Sequence, residues 1–267
     1  MDTWSGTEES EETSSSSNCP ICKGAGFVHP LLLSGKPDFS RVTSCRCTRS
    51  ESDERRQERL RRYSNLGFGL LKEMTFDKFD WRRVNLPREE QENLKEAYRL
   101  ALEFAKSPDG WLVFHGETGC GKTHLAAAIA NYRLEVGEPV LFQVVPDLLD
   151  HLRSTFSPES KVSYDQLFES VKNTPLLILD DFGEQSTTPW AQEKLYQVIN
   201  HRYNARLATV ITTRYSLEEI DDPISSRFVD PKISLVFYIM APDYRGDRRS
   251  ERDSGRVSRR SRKGAGT

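Results

Sequence analysis

The chain has 267 residues, 36% of them hydrophobic and 29% charged, with a formal net charge of −2. That length holds one α/β domain with appendages or two small domains, and the composition fits a real core diluted by polar tails. No apolar run approaches the ~20 residues that span a bilayer, and the first residues lack the basic region and apolar core of a signal peptide, so a cytoplasmic protein with no membrane contact is expected.

Residues 1–18 are Ser, Thr and Glu with one Trp, too polar to offset the entropy of ordering, and read as a disordered acidic tail. Next come Cys19-Pro20-Ile21-Cys22 and Cys45-Arg46-Cys47, a C-x-x-C and a C-x-C. Four thiolates suffice to close a tetrahedral zinc site, and Gly24-Ala25-Gly26 suits the tight turn of a zinc knuckle. The segment 19–50 has no adequate core of its own, so metal would supply its folding energy; unpaired thiols are the other reading. Lys23, Arg41, Arg46 and Arg49 allow contact with nucleic acid without proving it. Residues 51–66 are nearly all charged at first and read as a solvated linker helix.

The span 67–242 reads as one α/β domain. A loop with aromatics, including Thr75-Phe76-Asp77-Lys78-Phe79, precedes a helix from Pro87 to Lys106, with Leu94, Ala97, Tyr98, Ala101, Leu102 and Ala105 on one face. Trp111 to His115 is a buried strand. It runs into Gly116, Glu117, Thr118, Gly119, Cys120, Gly121, Lys122 and Thr123, spaced G-x-x-x-x-G-K-T, and an Ala- and Leu-rich helix follows. Strand, glycine loop and helix together turn backbone N–H groups toward an anion. The glycines admit phosphate oxygens close to the backbone, Lys122 sits on the outer phosphates of ATP, and the Thr123 hydroxyl holds Mg²⁺. A glycine turn matching by chance would lack this strand and helix.

A second strand is expected over Val140–Val145, then helices at Pro146–Thr155 and near Tyr164–Lys172. Leu176-Leu177-Ile178-Leu179 is a strand buried on both faces, ending in Asp180 and Asp181. Beside a phosphate loop these acids form a Walker B element: Asp180 holds Mg²⁺ through water, and Asp181 orients or deprotonates the attacking water. A helix at Ala191–Tyr203 leads to the strand Ala208–Thr213, which ends in two hydroxyls. Ser216-Leu217-Glu218-Glu219 starts a short helix as a capping box, Arg227 follows in Ile224-Ser225-Ser226-Arg227-Phe228, and Ile233–Ile239 is the last strand. Residues 243–267 are Arg, Ser, Gly and Asp, a disordered basic tail.

The loop Gly-Glu-Thr-Gly-Cys-Gly-Lys-Thr-His-Leu-Ala, with Leu-Leu-Ile-Leu-Asp-Asp-Phe-Gly, Val-Ile-Thr-Thr and Ile-Ser-Ser-Arg-Phe, resembles the AAA+ ATPases. More narrowly the set is similar to the bacterial helicase loaders of the DnaC/DnaI type and the related IstB transposition helpers. The resemblance implies an α/β AAA+ P-loop NTPase core with a five-stranded parallel sheet, preceded here by a small zinc-binding module. It implies ATP, Mg²⁺ and Zn²⁺ as cofactors, a replicative helicase and single-stranded DNA as partners, and self-association through the ATPase domain. Arg227 falls where the family places its arginine finger, which reaches the ATP of a neighbouring subunit. Two departures stand out. Arg214 occupies the sensor 1 position, usually Asn, so Thr213 would substitute or Arg214 itself would touch phosphate, and slow hydrolysis is expected. No lid helix follows the last strand, leaving Arg245 as a weak sensor 2 candidate. The loader reading stands beside a transposition or phage-replication helper and a nucleotide-dependent binding module with little hydrolysis.

Overall fold

Phe27–Val28 (β1) and Thr43–Ser44 (β2) form a two-stranded antiparallel ladder, with Phe27 opposite Ser44, in a computed structural model of the chain. The structure describes residues 19–23, 25–32, 35–38, 42–48, 53–66, 69–83, 85–155, 164–183 and 188–245. The expected tail 1–18, residues 246–267 of the expected tail 243–267, Gly24, Arg41 and Arg49 lie outside the described residues, whereas 243–245, expected to be disordered, are placed, Tyr244 N–H bonding Gly119 O. The chain divides into two compact units at Asp53, the ladder belonging to the first.

The second unit carries, in order, α1 (Asp53–Tyr63), α2 (Arg88–Lys106), β3 (Trp111–Gly116), α3 (Lys122–Glu135), β4 (Leu141–Val144), α4 (Val145–Ser154), α5 (Tyr164–Asn173), β5 (Leu176–Asp180), α6 (Pro189–Ala205), β6 (Ala208–Thr213), α7 (Asp222–Phe228) and β7 (Ser234–Ile239). Its five strands are all parallel, in the order β4-β5-β6-β3-β7. Because successive side chains in a strand point to opposite faces, Trp111, Val113, Leu141, Leu177, Leu179 and Ile211 share one face, where they pack with Leu148, Leu195, Val198 and Phe228 of α4, α6 and α7. Leu112, Phe114, Phe142, Ile178 and Val210 are just as buried on the other face. Each such side chain contributes roughly 1.5–3 kcal/mol through its burial. This two-sided burial explains why the strands read as plain apolar runs without alternation. Among the described residues no helix is long and apolar enough to cross a membrane.

Two stretches differ from their expected form. The strand expected over Val140–Val145 is shorter, because Val145 and Pro146 already open α4; Pro is tolerated there since a first-turn N–H has no helical partner. The charged helix α1 is not wholly solvated: Leu60 is buried, and just past the helix the Ser64 carbonyl accepts the N–H of Phe142 on the edge strand β4. Tyr63, the last residue of the helix, also packs against the core.

Arg202 of α6 is fully buried without a carboxylate. It donates to Thr174 O (2.8 Å), Lys172 O (3.1 Å), Val171 O (3.4 Å), Ala208 O (2.6 Å) and Thr209 Oγ1 (3.0 Å), closing the carbonyls at the end of α5 and tying them to β6. Burial pulls its proton affinity down to about 9. Arg202→Met leaves these buried carbonyls without donors and should lower the unfolding free energy by about 2–4 kcal/mol in urea titrations; a change within 0.5 kcal/mol, roughly the size of a neutral surface substitution, would show the network to be dispensable.

Candidate functional site

β3 delivers the phosphate loop at the carboxyl end of the sheet, and α3 begins at its lysine. Gly119 and Gly121 have φ of 81° and 109°, outside the range open to most side chains. A Cβ on Gly121 would stand 2.8 Å from the Phe79 ring, and one on Gly119 would run into the Asp243 carboxylate. Glu117 and Thr118 are exposed, whereas Lys122 is 6% exposed and lies across the loop, its Nζ donating to Gly116 O and Glu117 O at 2.7 Å each. Cys120 is buried beside that ammonium, and burial pushes its thiol up from the usual range. The segment leading to Phe79 is held by α3: Asn131 donates to Leu71 O and Met74 O (2.9 Å each), His124 Nε2 meets Thr75 O at 2.9 Å, and the His124 ring lies 5.1 Å from that of Phe79. Asn131 carries no motif signal, and only the fold brings it and His124 to the preceding segment.

Asp180 ends β5 at 2% exposure. Its Oδ1 accepts Thr123 Oγ1–H at 3.0 Å and Thr212 Oγ1–H at 2.5 Å. Burial first, and the neighbouring Asp181 carboxylate second, raise its carboxyl to about 6 against these two hydrogen bonds. A hydroxyl and a carboxylate oxygen thus meet beside the phosphate loop, the hard oxygen donors that suit Mg²⁺. Asp181 is exposed, sits at φ 54°, and donates its N–H to Thr212 Oγ1 at 3.1 Å. Thr212 was not singled out from the sequence; the only signal was its place among two hydroxyls ending a strand.

The other expected site residues lie elsewhere. Thr213 is fully buried, and its Oγ1 accepts the N–H of Tyr215, which serves the turn after β6. Arg214 is exposed, donates to Tyr215 OH (3.0 Å) and lies 5.0 Å from that ring's centre. Arg227 folds back along α7 to Pro223 O, donates to Asn200 Oδ1 (2.7 Å), and stacks 5.1 Å and 5.5 Å from the Tyr196 and Tyr203 rings. Arg245 donates its N–H to Asp243 Oδ1 (2.8 Å), and the adjacent Tyr244 N–H donates to Gly119 O (3.1 Å), so the described chain ends against the loop.

In the first unit, the sulfurs of Cys19, Cys22, Cys45 and Cys47 all lie within 4.8 Å of one another. Cys19 and Cys45 are 3.7 Å apart and Cys22 and Cys47 3.5 Å, close to the ~3.8 Å separation of a tetrahedron with ~2.3 Å Zn–S bonds. Backbone N–H groups of Cys22 and Ile21 bring the Cys19 thiol down to about 6, while burial pushes that of Cys47 up. One thiolate is therefore available at neutral pH to begin metal capture.

A family model described as IstB-like ATP binding protein matches residues 46–234. The replicative helicase loader DnaC of Escherichia coli (strain K12) is 31% identical over 146 residues, 54% of this chain and 59% of that protein. The replicative helicase loader DnaI of Bacillus subtilis (strain 168) is 25% identical over 224 residues, 77% of this chain and 67% of that protein. The chain thus spans little more than half the length of the curated DnaC relatives it matches. Among solved structures, domain III of the Thermotoga maritima replication initiation protein DnaA is 26% identical with a TM-score of 0.52, covering 64% of this chain and 68% of that one. A crystal structure of the DnaC helicase loader, 23% identical with a TM-score of 0.51 over 63% of this chain and 98% of that one, shares the fold.

The raised Asp180 carboxyl has a consequence for stability. Its pKa is about 6 folded against 3.8 in the reference state, so its contribution is complete below about pH 4 and is lost as pH rises through 6. In Mg²⁺-free buffer Asp180→Asn should therefore stabilise the chain by about 2–3 kcal/mol at pH 7.5 and by about half that at pH 5, read from urea unfolding at the two values. An advantage that grows toward low pH contradicts the assignment.

Proposed function

The chain belongs to the IstB-like ATP binding protein family, with the parallel sheet and phosphate loop of the AAA+ ATPases, and on that premise we propose that it is an ATP-hydrolysing loader that delivers or regulates a replicative helicase on single-stranded DNA. The contact that supports the use of ATP is the one between Thr123 and Asp180, which sets a hydroxyl and a carboxylate side by side next to Lys122. What supports loading, over other ATP-driven tasks, is that the DnaC and DnaI relatives are named replicative helicase loaders.

In this reading Lys122 leaves the two loop carbonyls and pairs with the outer phosphates, while the loop N–H groups bind the remaining oxygens. Thr123 and Asp180 hold Mg²⁺, which neutralises charge building on the transferred phosphoryl group. Asp181, exposed at the strand end, orients the attacking water. Arg227 acts on the nucleotide of a second copy, for which it has to give up Asn200 and Pro223 O. Arg214, a bulky cation at the sensor 1 position that bonds Tyr215 OH, supports slow turnover and ATP as a switch. Cys19, Cys22, Cys45 and Cys47 hold one zinc, and that module and its charged helix grip the helicase in the cytoplasm. A transposition helper is the second reading, favoured by the family model itself.

Lys122→Ala should weaken ATP binding by about a hundredfold or more, and a variant that binds ATP normally would overturn the site. Arg227→Ala should lower turnover by at least about a hundredfold at protein concentrations where the chain assembles, and mixing it with Lys122→Ala subunits should restore part of it. Metal analysis should find about one zinc per chain, falling on Cys45→Ser. Affinity capture with the full chain should retain a replicative helicase; retention of a transposase alone would favour the second reading.

A further inference from the structure

Two threonines end β6, on opposite faces of the sheet. Thr213 serves the turn that follows. Thr212, fully buried, meets the acid pair at two points and the residue after it at a third. Its Oγ1–H donates to Asp180 Oδ1 (2.5 Å), the same Oγ1 accepts the Asp181 N–H (3.1 Å), and its carbonyl accepts the Phe182 N–H (2.8 Å). With Thr123 also donating, Oδ1 of Asp180 has both lone pairs engaged, so the carboxylate cannot rotate without breaking two hydrogen bonds. Asp181 stands at φ 54°, a left-handed conformation that a non-glycine residue keeps only when its surroundings impose it. Thr212 bonds the N–H groups of Asp181 and of the residue after it, and so holds that turn.

We propose that Thr212 is the positioning residue of this site: its hydroxyl sets the orientation of Asp180, and its hydroxyl and carbonyl together set the turn that presents Asp181. Arg214, the residue at the sensor 1 position, donates to Tyr215 OH and lies against that ring. The strand between the acids and the phosphate loop (β6 lies between β5 and β3) thereby carries the acid geometry through a residue two places earlier. The inference rests on the reading that Asp180 and Asp181 serve ATP hydrolysis.

Thr212→Val keeps the side-chain shape and removes the hydroxyl, Thr212→Ser keeps the hydroxyl, and Thr212→Cys, with a weak donor, provides an intermediate should the Val variant fail to fold. The full chain is titrated with Mg²⁺ in the presence of a non-hydrolysable ATP analogue by calorimetry, beside turnover and the melting temperature. In the Val variant the half-saturating Mg²⁺ concentration should rise about tenfold and turnover fall about ten- to a hundredfold, with Mg²⁺-free analogue affinity within about twofold of wild type. Ser should return both to within about threefold, and Cys should fall between. Wild-type Mg²⁺ dependence and turnover in the Val variant overturn the proposal. So does a Ser variant as impaired as Val at a wild-type melting temperature, or an equal loss of Mg²⁺-free affinity, which would mark general distortion of the loop. Asp181→Asn separates the two claims: if it turns over ATP at the wild-type rate, the hydrolytic reading fails, whereas the Mg²⁺ titration still decides whether Thr212 positions Asp180.

Discussion

Burying a carboxylate at the end of a central strand is the constraint on which the rest of the site depends. Removed from water, Asp180 is held near the edge of ionisation, and the hydroxyls of Thr212 and Thr123, helped by the Lys122 charge, favour its charged form. Those hydroxyls arrive from α3 and β6, so the sheet order that sets β5 beside β6, and the helix that leaves the phosphate loop over both, are conditions for the acid to exist there at all. A hydroxyl pair can meet this need because it donates without bringing a charge of its own. The site is thereby kept receptive to a cation, since a buried carboxylate with donors on one oxygen still gains from positive charge at the other.

The cationic side chains divide in the same manner between fold and site. Arg202 is spent wholly on carbonyls and hydroxyls inside the second unit. Lys122 is buried yet bonded to two loop carbonyls and the Cys120 sulfur, neutral acceptors that a phosphate can replace, since a charge-assisted bond to an anion is stronger than one to an amide oxygen. Arg227 lies between these: its aromatic stacking and its bond to Asn200 are modest interactions at a half-exposed surface. How buried a cation is, and whether its acceptors are replaceable, sets structural and functional arginines apart more clearly than charge alone.

The four thiols of the first unit follow another logic. A ladder of two residues per strand buries almost nothing, so the turns at Cys22–Ala25 and Cys45–Thr48, closed by backbone hydrogen bonds, bring the sulfurs together without a core to do it. The amides of Cys22 and Ile21 that aim at Cys19 lower its thiol to about 6.

Much of this was legible in the amino-acid sequence, and the reason is locality. The phosphate loop, the C-x-x-C and the Asp180-Asp181 pair are contiguous patterns whose backbone geometry and chemistry come from neighbours in the chain, so reading them needs no fold. The strands were legible as apolar runs, but in a parallel sheet buried on both faces such a run carries no alternation, and the phase that sends Thr212 to the acids and Thr213 to the turn cannot be read from it. The same holds for long side chains: Arg227 on α6, Arg202 under α5 and Asn131 on the segment before the core each find partners set by other elements. The sequence by itself determined which chemistry is present and where along the chain it stands. Only the tertiary structure decided which hydroxyl meets which carboxylate and which cations stay available, because those contacts are made by packing between elements distant in sequence.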